Sequence, residues 1–358
     1  MATSGSLKIF THNAGVQGAS GSIVLSSGTS SAANSGYVTI TTGDSAESAS
    51  GDIMFAAGTS NSGSSGGDIF MSAGSSVDQT GGNIGIVTGK GAENFASGKI
   101  EILSGISGRG GASGSIDISS GGSTEGSSGS ISLTTGNALE EGIAGSIFIK
   151  AGSSAMKSGG DITVSAGDSG RVTGGQVIIK SGRGAKSSSG QIRIESANAG
   201  SDGSSGDLSL FTGTSSTGAS GSISIASGLA TGGAGGSISL SVGSGSSGVG
   251  GAVSVSAGDS VEANGGDVTV KSGRSVEGSS GSVKVFSANA GTEGSSGHID
   301  INTGSTTQGS TGSVVLKSGV SGQGSGGDIS LTVGSSAGES VGGSVSLTAG
   351  SSAESTGG

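Results

Sequence analysis

The chain has 358 residues, a formal net charge of −10, 81 glycines and no proline, cysteine or tryptophan. The lack of proline and of a Gly-X-Y triplet excludes collagen, and the lack of cysteine excludes a disulfide framework. The acidic balance, with no basic patch, argues against nucleic acid as a partner, and no apolar run is long enough for membrane insertion.

A short sequence repeat begins directly after residues 1–5, which contain no apolar stretch of the signal-peptide type. Leu7 is the first aliphatic anchor, and a second large apolar residue, Ile9, follows two positions later. This alternation predicts a strand with one inward face. The pair recurs at a spacing of 15 or 16 positions, with anchors at Leu7, Ile23, Val38, Ile53, Ile69, Ile84, Ile100, Ile116, Ile131, Ile147, Ile162, Val177, Ile192, Leu208, Ile223, Ile238, Val253, Val268, Val283, Ile299, Val314, Ile329 and Val345.

Each anchor opens a repeat, and the repeats are numbered 1 to 23 in chain order. A small residue lies four positions after the anchor, and in most repeats a glycine follows it, here called the corner glycine; Ala57 and Gly58 are an example. Glycine at a corner suits a positive φ or a close backbone approach. Three repeats have another residue there, followed by Asn13, Asn198 or Asn289, and asparagine tolerates the left-handed region.

The repeats predict an all-β fold, a single long β-solenoid of about 23 coils with a flattened two-sheet cross-section and no obvious caps. One repeat cannot fold alone, because two aliphatic side chains stabilise by roughly 3–6 kcal/mol whereas ordering about 15 residues costs on the order of 15 kcal/mol or more. Stacked coils would close that gap. Small loop residues, including Ser30, Ser45 and Ser169, are expected to face the aliphatic side chains.

A longer period modulates the repeats and extends over residues 1–358, which we expect to form one repeat domain. Ser165–Ser169 is matched by Ser256–Ser260, and a basic residue follows the corner glycine one repeat later, at Arg183 and Arg274. The resulting super-repeat contains six repeats and spans 91–93 positions. Either duplication history or a partner engaged once per super-repeat accounts for it.

Two sets of side chains are candidates for structure and contact. The first set is a core ladder of inward aliphatic residues, represented by Ile23, Leu25, Ile131, Leu133, Ile162, Val164, Ile329 and Leu331. The second set is a candidate lateral-contact face of large apolar residues at outward positions: Phe10, Phe70, Phe148, Ile178, Phe211 and Phe286.

The sequence does not predict an enzyme. Its only histidines, His12 and His298, are far apart in the repeat array, and no His, Asp and Glu cluster has the spacing of metal ligands. We therefore expect no catalytic residues, no metal and no cofactor.

An alternative function is binding of ice or a polysaccharide along the outward strand face. Ser209, Ser224, Ser239 and Ser254 form one regular column at that face. The same column elsewhere includes Lys8, Val24 and Glu101, which is irregular for an ice-binding surface.

Runs of Gly-Gly or Gly-Ser, then x-Ile/Val-x-Leu/Val-x-x-Gly, at a spacing of 15 or 16 positions resemble the large repeat-rich surface or secreted proteins of diatoms and related stramenopile algae. This resemblance covers the whole chain and implies an extracellular or cell-surface location with a structural or adhesive role. Together with the repeat it predicts a structural or adhesive filament module. Its expected partner is the chain itself, associating end to end or laterally.

Overall fold

The computed structural model describes residues 4–61, 63–139, 141–352 and 356. Within these ranges the chain contains neither a helix nor a strand, so there are no element bounds to give. The prediction of an all-β solenoid with two sheets is therefore wrong. The chain is instead a series of short repeats that fold back on themselves locally.

The sequence separation of the bonded residues shows why the solenoid prediction is wrong. Stacked coils require bonds between residues 15 or 16 positions apart, one coil to the next. The backbone bonds that the described ranges contain join residues only three to nine positions apart, as from Gly82 N to Gly74 O at 2.8 Å. Backbone pairing thus closes single repeats and leaves successive repeats unconnected by a ladder.

The absence of stacking leaves the chain highly solvent-exposed. Its accessible surface is 35,620 Å², whereas a folded monomer of this mass exposes about 12,500 Å². No hydrophobic residue within the described ranges is buried. The large apolar residues inside the loops, such as Val77 and Val261, are themselves fully exposed and do not cover the aliphatic pairs.

The backbone is locally extended at several anchors. Side chains two positions apart lie on the same side of an extended backbone, and such neighbours are paired across several anchors. Lys99 Nζ lies 2.8 Å from Glu101 Oε1, across Ile100. Ser115 donates a hydrogen bond to Asp117 at 3.0 Å, across Ile116. The alternation of apolar and polar residues therefore gives extended segments with two distinct sides, although it does not give a sheet.

The chain divides into two units, Met1–Ile179 and Lys180–Gly358. The first holds repeats 1 to 11 and the start of repeat 12, and the second holds the remaining repeats. Across the part of the chain that the structure describes, no helix is long and apolar enough to span a bilayer.

Candidate functional site

The aliphatic pairs form an exposed array, which is the most extensive surface feature of the chain. The eight residues predicted to form the core ladder have exposed fractions of 51–74%. Anchors are generally the less exposed member of each pair, as with Ile162 at 54% and Val164 at 74%. Apolar residues inside the loops are more exposed still, and Val261 reaches 101%. The side chains predicted to form the core ladder are therefore only partly covered, and none of them is buried.

The six residues of the candidate lateral-contact face are also exposed, at 70–91%. They occupy the positions one or three after the anchor, and in an extended segment both positions lie on the side opposite the anchor. Phe10 has a neighbour on that side, His12, with ring centroids 6.0 Å apart in an edge-to-face arrangement. Each of the six lies in a different repeat.

One of these residues borders an apolar cavity of about 350 Å³. Phe70 lines it together with Phe55, Ile69 and Met71, from repeats 4 and 5. All four side chains are more than half exposed. The cavity is therefore a shallow depression in the aliphatic array, with no polar side chain among its lining residues to orient a ligand.

A close contact that recurs from repeat to repeat is made at a glycine that was not among the residues predicted from the sequence. It lies two positions before each anchor and is called the loop-end glycine. A methyl group on it would meet the small residue before the corner at 2.7–3.9 Å, as with Gly175 and Ala166 at 3.2 Å. The contact recurs in the loops of repeats 1 to 22. Its sequence signal was present, because glycine occupies this position without exception from Gly5 to Gly343.

The corner glycines have the opposite property. The space around their missing side chains is empty, with nothing within 4 Å at Gly28, Gly58 or Gly167. In the described ranges the glycines with positive φ lie inside loops, at Gly63, Gly110, Gly248 and Gly338. The prediction that the corner needs a positive φ or a close approach is therefore wrong.

The prediction for asparagine is also wrong. Asn13, Asn198 and Asn289 do not adopt the left-handed region, and the non-glycine residue that does so in the described ranges is Asn94, with φ 67°. Asn94 lies inside the loop of repeat 6. The left-handed turn is therefore a feature of loop interiors, away from the ends of the extended segments.

In nine repeats the loop-end glycine also closes the loop with a hydrogen bond. Its N–H donates to the carbonyl of the corner glycine of the same repeat, at 2.8–3.4 Å. These closed loops run from the corner glycine to the loop-end glycine over residues 58–67, 74–82, 89–98, 152–160, 167–175, 182–190, 258–266, 273–281 and 334–343. They belong to repeats 4 to 6, 10 to 12, 17, 18 and 22.

Closure covers the small residue before the corner more than any large side chain. Eleven described residues are only partly exposed to solvent, and eight of them occupy the position directly before the corner. Seven of the eight lie directly before the corner glycine of a closed loop. They are Ala73, Thr88, Ala151, Ala166, Ser181, Ala257 and Ser272. The eighth is Thr11, whose hydroxyl donates to Gly21 O at 3.0 Å. In seven of the nine closed repeats, a small side chain and the loop-end glycine therefore form the compact part of the repeat.

Hydroxyl groups organise the loop interiors. In eleven repeats a Ser or Thr two positions after the corner accepts a hydrogen bond from the N–H three residues later, and the set consists of Ser30, Ser45, Ser76, Ser123, Ser154, Ser169, Ser215, Ser260, Ser275, Thr306 and Ser321. This is the local side-chain-to-backbone pattern typical of Ser and Thr in turns. The prediction that Ser30, Ser45 and Ser169 face the aliphatic side chains is wrong, because their oxygens bond within their own loops.

We expect Ser260→Ala to loosen the loop of repeat 17. Ser260 Oγ accepts the Ala263 N–H at 3.0 Å, and one such bond contributes about 0.5–1.5 kcal/mol. Exchange of the Ala263 amide should accelerate about three- to tenfold, measured by hydrogen–deuterium exchange. Ser254→Ala is the matched control because the Ser254 hydroxyl makes no hydrogen bond within the described ranges. Equal exchange in both variants would refute the role of the Ser260 hydroxyl.

The charged groups do not converge. His298 Nε2 lies 3.3 Å from Asp300 Oδ2, and Arg193 pairs with Glu195, but each pair is local and exposed. In the ranges open to description, no group of three or more His, Asp or Glu residues lies close enough to hold a metal ion. No protein-family model matches the chain, and neither a curated protein nor a solved structure is similar to it.

Proposed function

We propose that this chain is a structural or adhesive protein of an extracellular or cell-surface material and that it acts by associating with copies of itself. The observation that carries the proposal is the exposed aliphatic array. Twenty-three pairs of large apolar side chains recur at a spacing of 15 or 16 positions, and none in the described ranges is buried. A soluble monomer rarely exposes apolar surface on that scale, and large exposed patches mark interaction sites.

The regular spacing supports a copy of the same chain as the partner. A second copy presents aliphatic pairs at the same intervals, so one contact geometry can recur at many repeats. The available area is ample, because a stable interface needs only about 800 Å² from each partner. The six residues of the lateral-contact face, which are exposed on the opposite side of the extended segments, offer a second route to bundling. The resemblance to algal surface proteins agrees with a material of this kind.

Sedimentation velocity over a range from about 1 to 100 µM tests the proposal. The chain has a mass of 32.8 kDa, and we expect the sedimenting mass to rise well above that value with concentration. Hydrophobic association strengthens in sulfate, so added ammonium sulfate should shift the rise to lower concentrations. A single species of the monomer mass under all these conditions would refute self-association.

A further inference from the structure

The loop of repeat 17 contains the one asparagine in the sequence that directly precedes a glycine. The chain has ten asparagines, and nine of them are followed by a residue that carries a side chain. Asn264 is followed by Gly265, and Gly266 then ends the loop. All three residues are exposed to solvent. Asn264 therefore differs in its local covalent environment from every other asparagine of the chain.

An asparagine side chain that precedes a glycine is open to attack by the backbone. The backbone nitrogen of the next residue can bond to the side-chain amide carbon and expel ammonia, and a side chain on that next residue hinders the approach. Gly265 has none, and the atom nearest to the position of its missing Cβ is the Gly258 carbonyl oxygen, at 3.6 Å. Among the described residues, no hydrogen bond holds the Gly265 N–H or the Asn264 side chain.

Equivalent loops one super-repeat apart have threonine where repeat 17 has asparagine. The loops of repeats 5, 11 and 17 end in Thr80-Gly81-Gly82, Thr173-Gly174-Gly175 and Asn264-Gly265-Gly266. In all three loops the last glycine donates to the corner carbonyl, at 2.8–2.9 Å. Threonine has no amide to lose, so repeat 17 combines the same loop closure with a reactive side chain.

We propose that Asn264 is a site of spontaneous modification, at which the Gly265 nitrogen displaces ammonia and the loop of repeat 17 then opens. A bond forms from the Gly265 nitrogen to Asn264 Cγ, and the bond from Cγ to the amide nitrogen breaks. The proton of the attacking nitrogen leaves with the amide as ammonia, and a cyclic imide remains. Water opens the imide at either carbonyl, which gives aspartate or iso-aspartate. Solvent water is the only co-reactant, and the inference does not depend on self-association.

The iso-aspartate product changes the loop in two ways. Its main chain passes through the former side chain, which inserts one extra methylene before Gly265. Gly266 N now lies 2.9 Å from Gly258 O, and a hydrogen bond needs a separation within about 3.2 Å, so the added length opposes closure. The new carboxylate also joins a loop that already contains Asp259 and Glu262, and like charges close together repel.

Incubation of the full-length chain at mildly alkaline pH tests the site, because base removes the proton from the attacking nitrogen. Fragment mass spectra locate the conversion of amide to acid, and we expect it at Asn264 about tenfold faster than at Asn34, which precedes serine. Gly265→Ala should slow the conversion about tenfold. Asn264→Thr should release no ammonia from this loop, and it is the matched control because the equivalent closed loops have threonine here.

Opening of the loop is measured separately, by hydrogen–deuterium exchange at the Gly266 amide. We expect exchange about three- to tenfold faster in the iso-aspartate product than in Asn264→Asp, which has the same charge without the extra methylene. A conversion at Asn264 no faster than at Asn34, or one that Gly265→Ala does not slow, would overturn the site. Equal exchange in the iso-aspartate product and in Asn264→Asp would overturn the opening of the loop.

Discussion

Replacing three neighbouring anchors with serine, as Ile131→Ser, Ile147→Ser and Ile162→Ser, is expected to weaken self-association about a hundredfold. These side chains are 47–59% exposed in the single chain. Covering the remaining half of an isoleucine contributes about 1 kcal/mol, so three of them contribute about 3 kcal/mol. The association constant, measured by sedimentation equilibrium, gives the effect directly.

The matched control replaces apolar residues that lie inside loops, as Val77→Ser, Val249→Ser and Val261→Ser. They are fully exposed, at 100–101%, and lie outside the extended segments. If the anchors form the contact, the control should associate within about twofold of the unmodified chain. Equal losses in the two triple variants would show that general hydrophobicity, and not the anchor array, drives association.

Gly184→Ala is expected to open the loop of repeat 12. A methyl group there would overlap the backbone carbonyl oxygens of Ser187 and Ser188. Backbone atoms cannot rotate away as a side chain can, so the 182–190 loop must open. The closing bond from Gly190 N to Gly182 O, now 3.0 Å long, should be lost, and exchange of the Gly190 amide should accelerate about tenfold.

Gly182→Ala is the control in the same loop. Nothing lies within 4 Å of the position that its methyl group would occupy, and its φ is outside the positive range. Exchange at Gly190 should therefore remain unchanged. A similar acceleration in both variants would mean that the loop is sensitive to any added bulk, and that the close approach at Gly184 is not the cause.

The sequence predicts the local structure of this chain better than its long-range structure. The alternation around the anchors agrees with the side-chain pairs formed across them, as between Lys99 and Glu101 and between Ser115 and Asp117. The solenoid prediction assumed that the unpaired backbone groups of one repeat would bond to the next. Alternation of apolar and polar residues specifies sides of a segment but not the partner of its backbone, so this step had no support in the sequence.

Glycine was the most difficult residue type to interpret. Both the corner and the loop-end positions are rich in glycine, and composition alone does not reveal which one a side chain would disturb. The corner tolerates other residues, as at Ala197 and Ala288, whereas the loop-end position never does. That difference could have identified Gly175 and its equivalents as the sterically required set. Which loops close was harder to predict. The residue before the corner is serine both in repeat 2, at Ser27, whose described residues form no closing bond, and in repeat 12, at Ser181, whose loop is closed.

Loop closure inside single repeats has a consequence for how the chain responds to heat and to changes in length. Each closing bond joins residues eight or nine positions apart, so the entropy lost on forming one loop is small and independent of the rest of the chain. Without a ladder between repeats, neighbouring loops lack the coupling that makes unfolding cooperative. The isolated chain should therefore melt gradually, without a sharp transition. Whole repeats could be gained or lost with little effect on the structure of the repeats that remain.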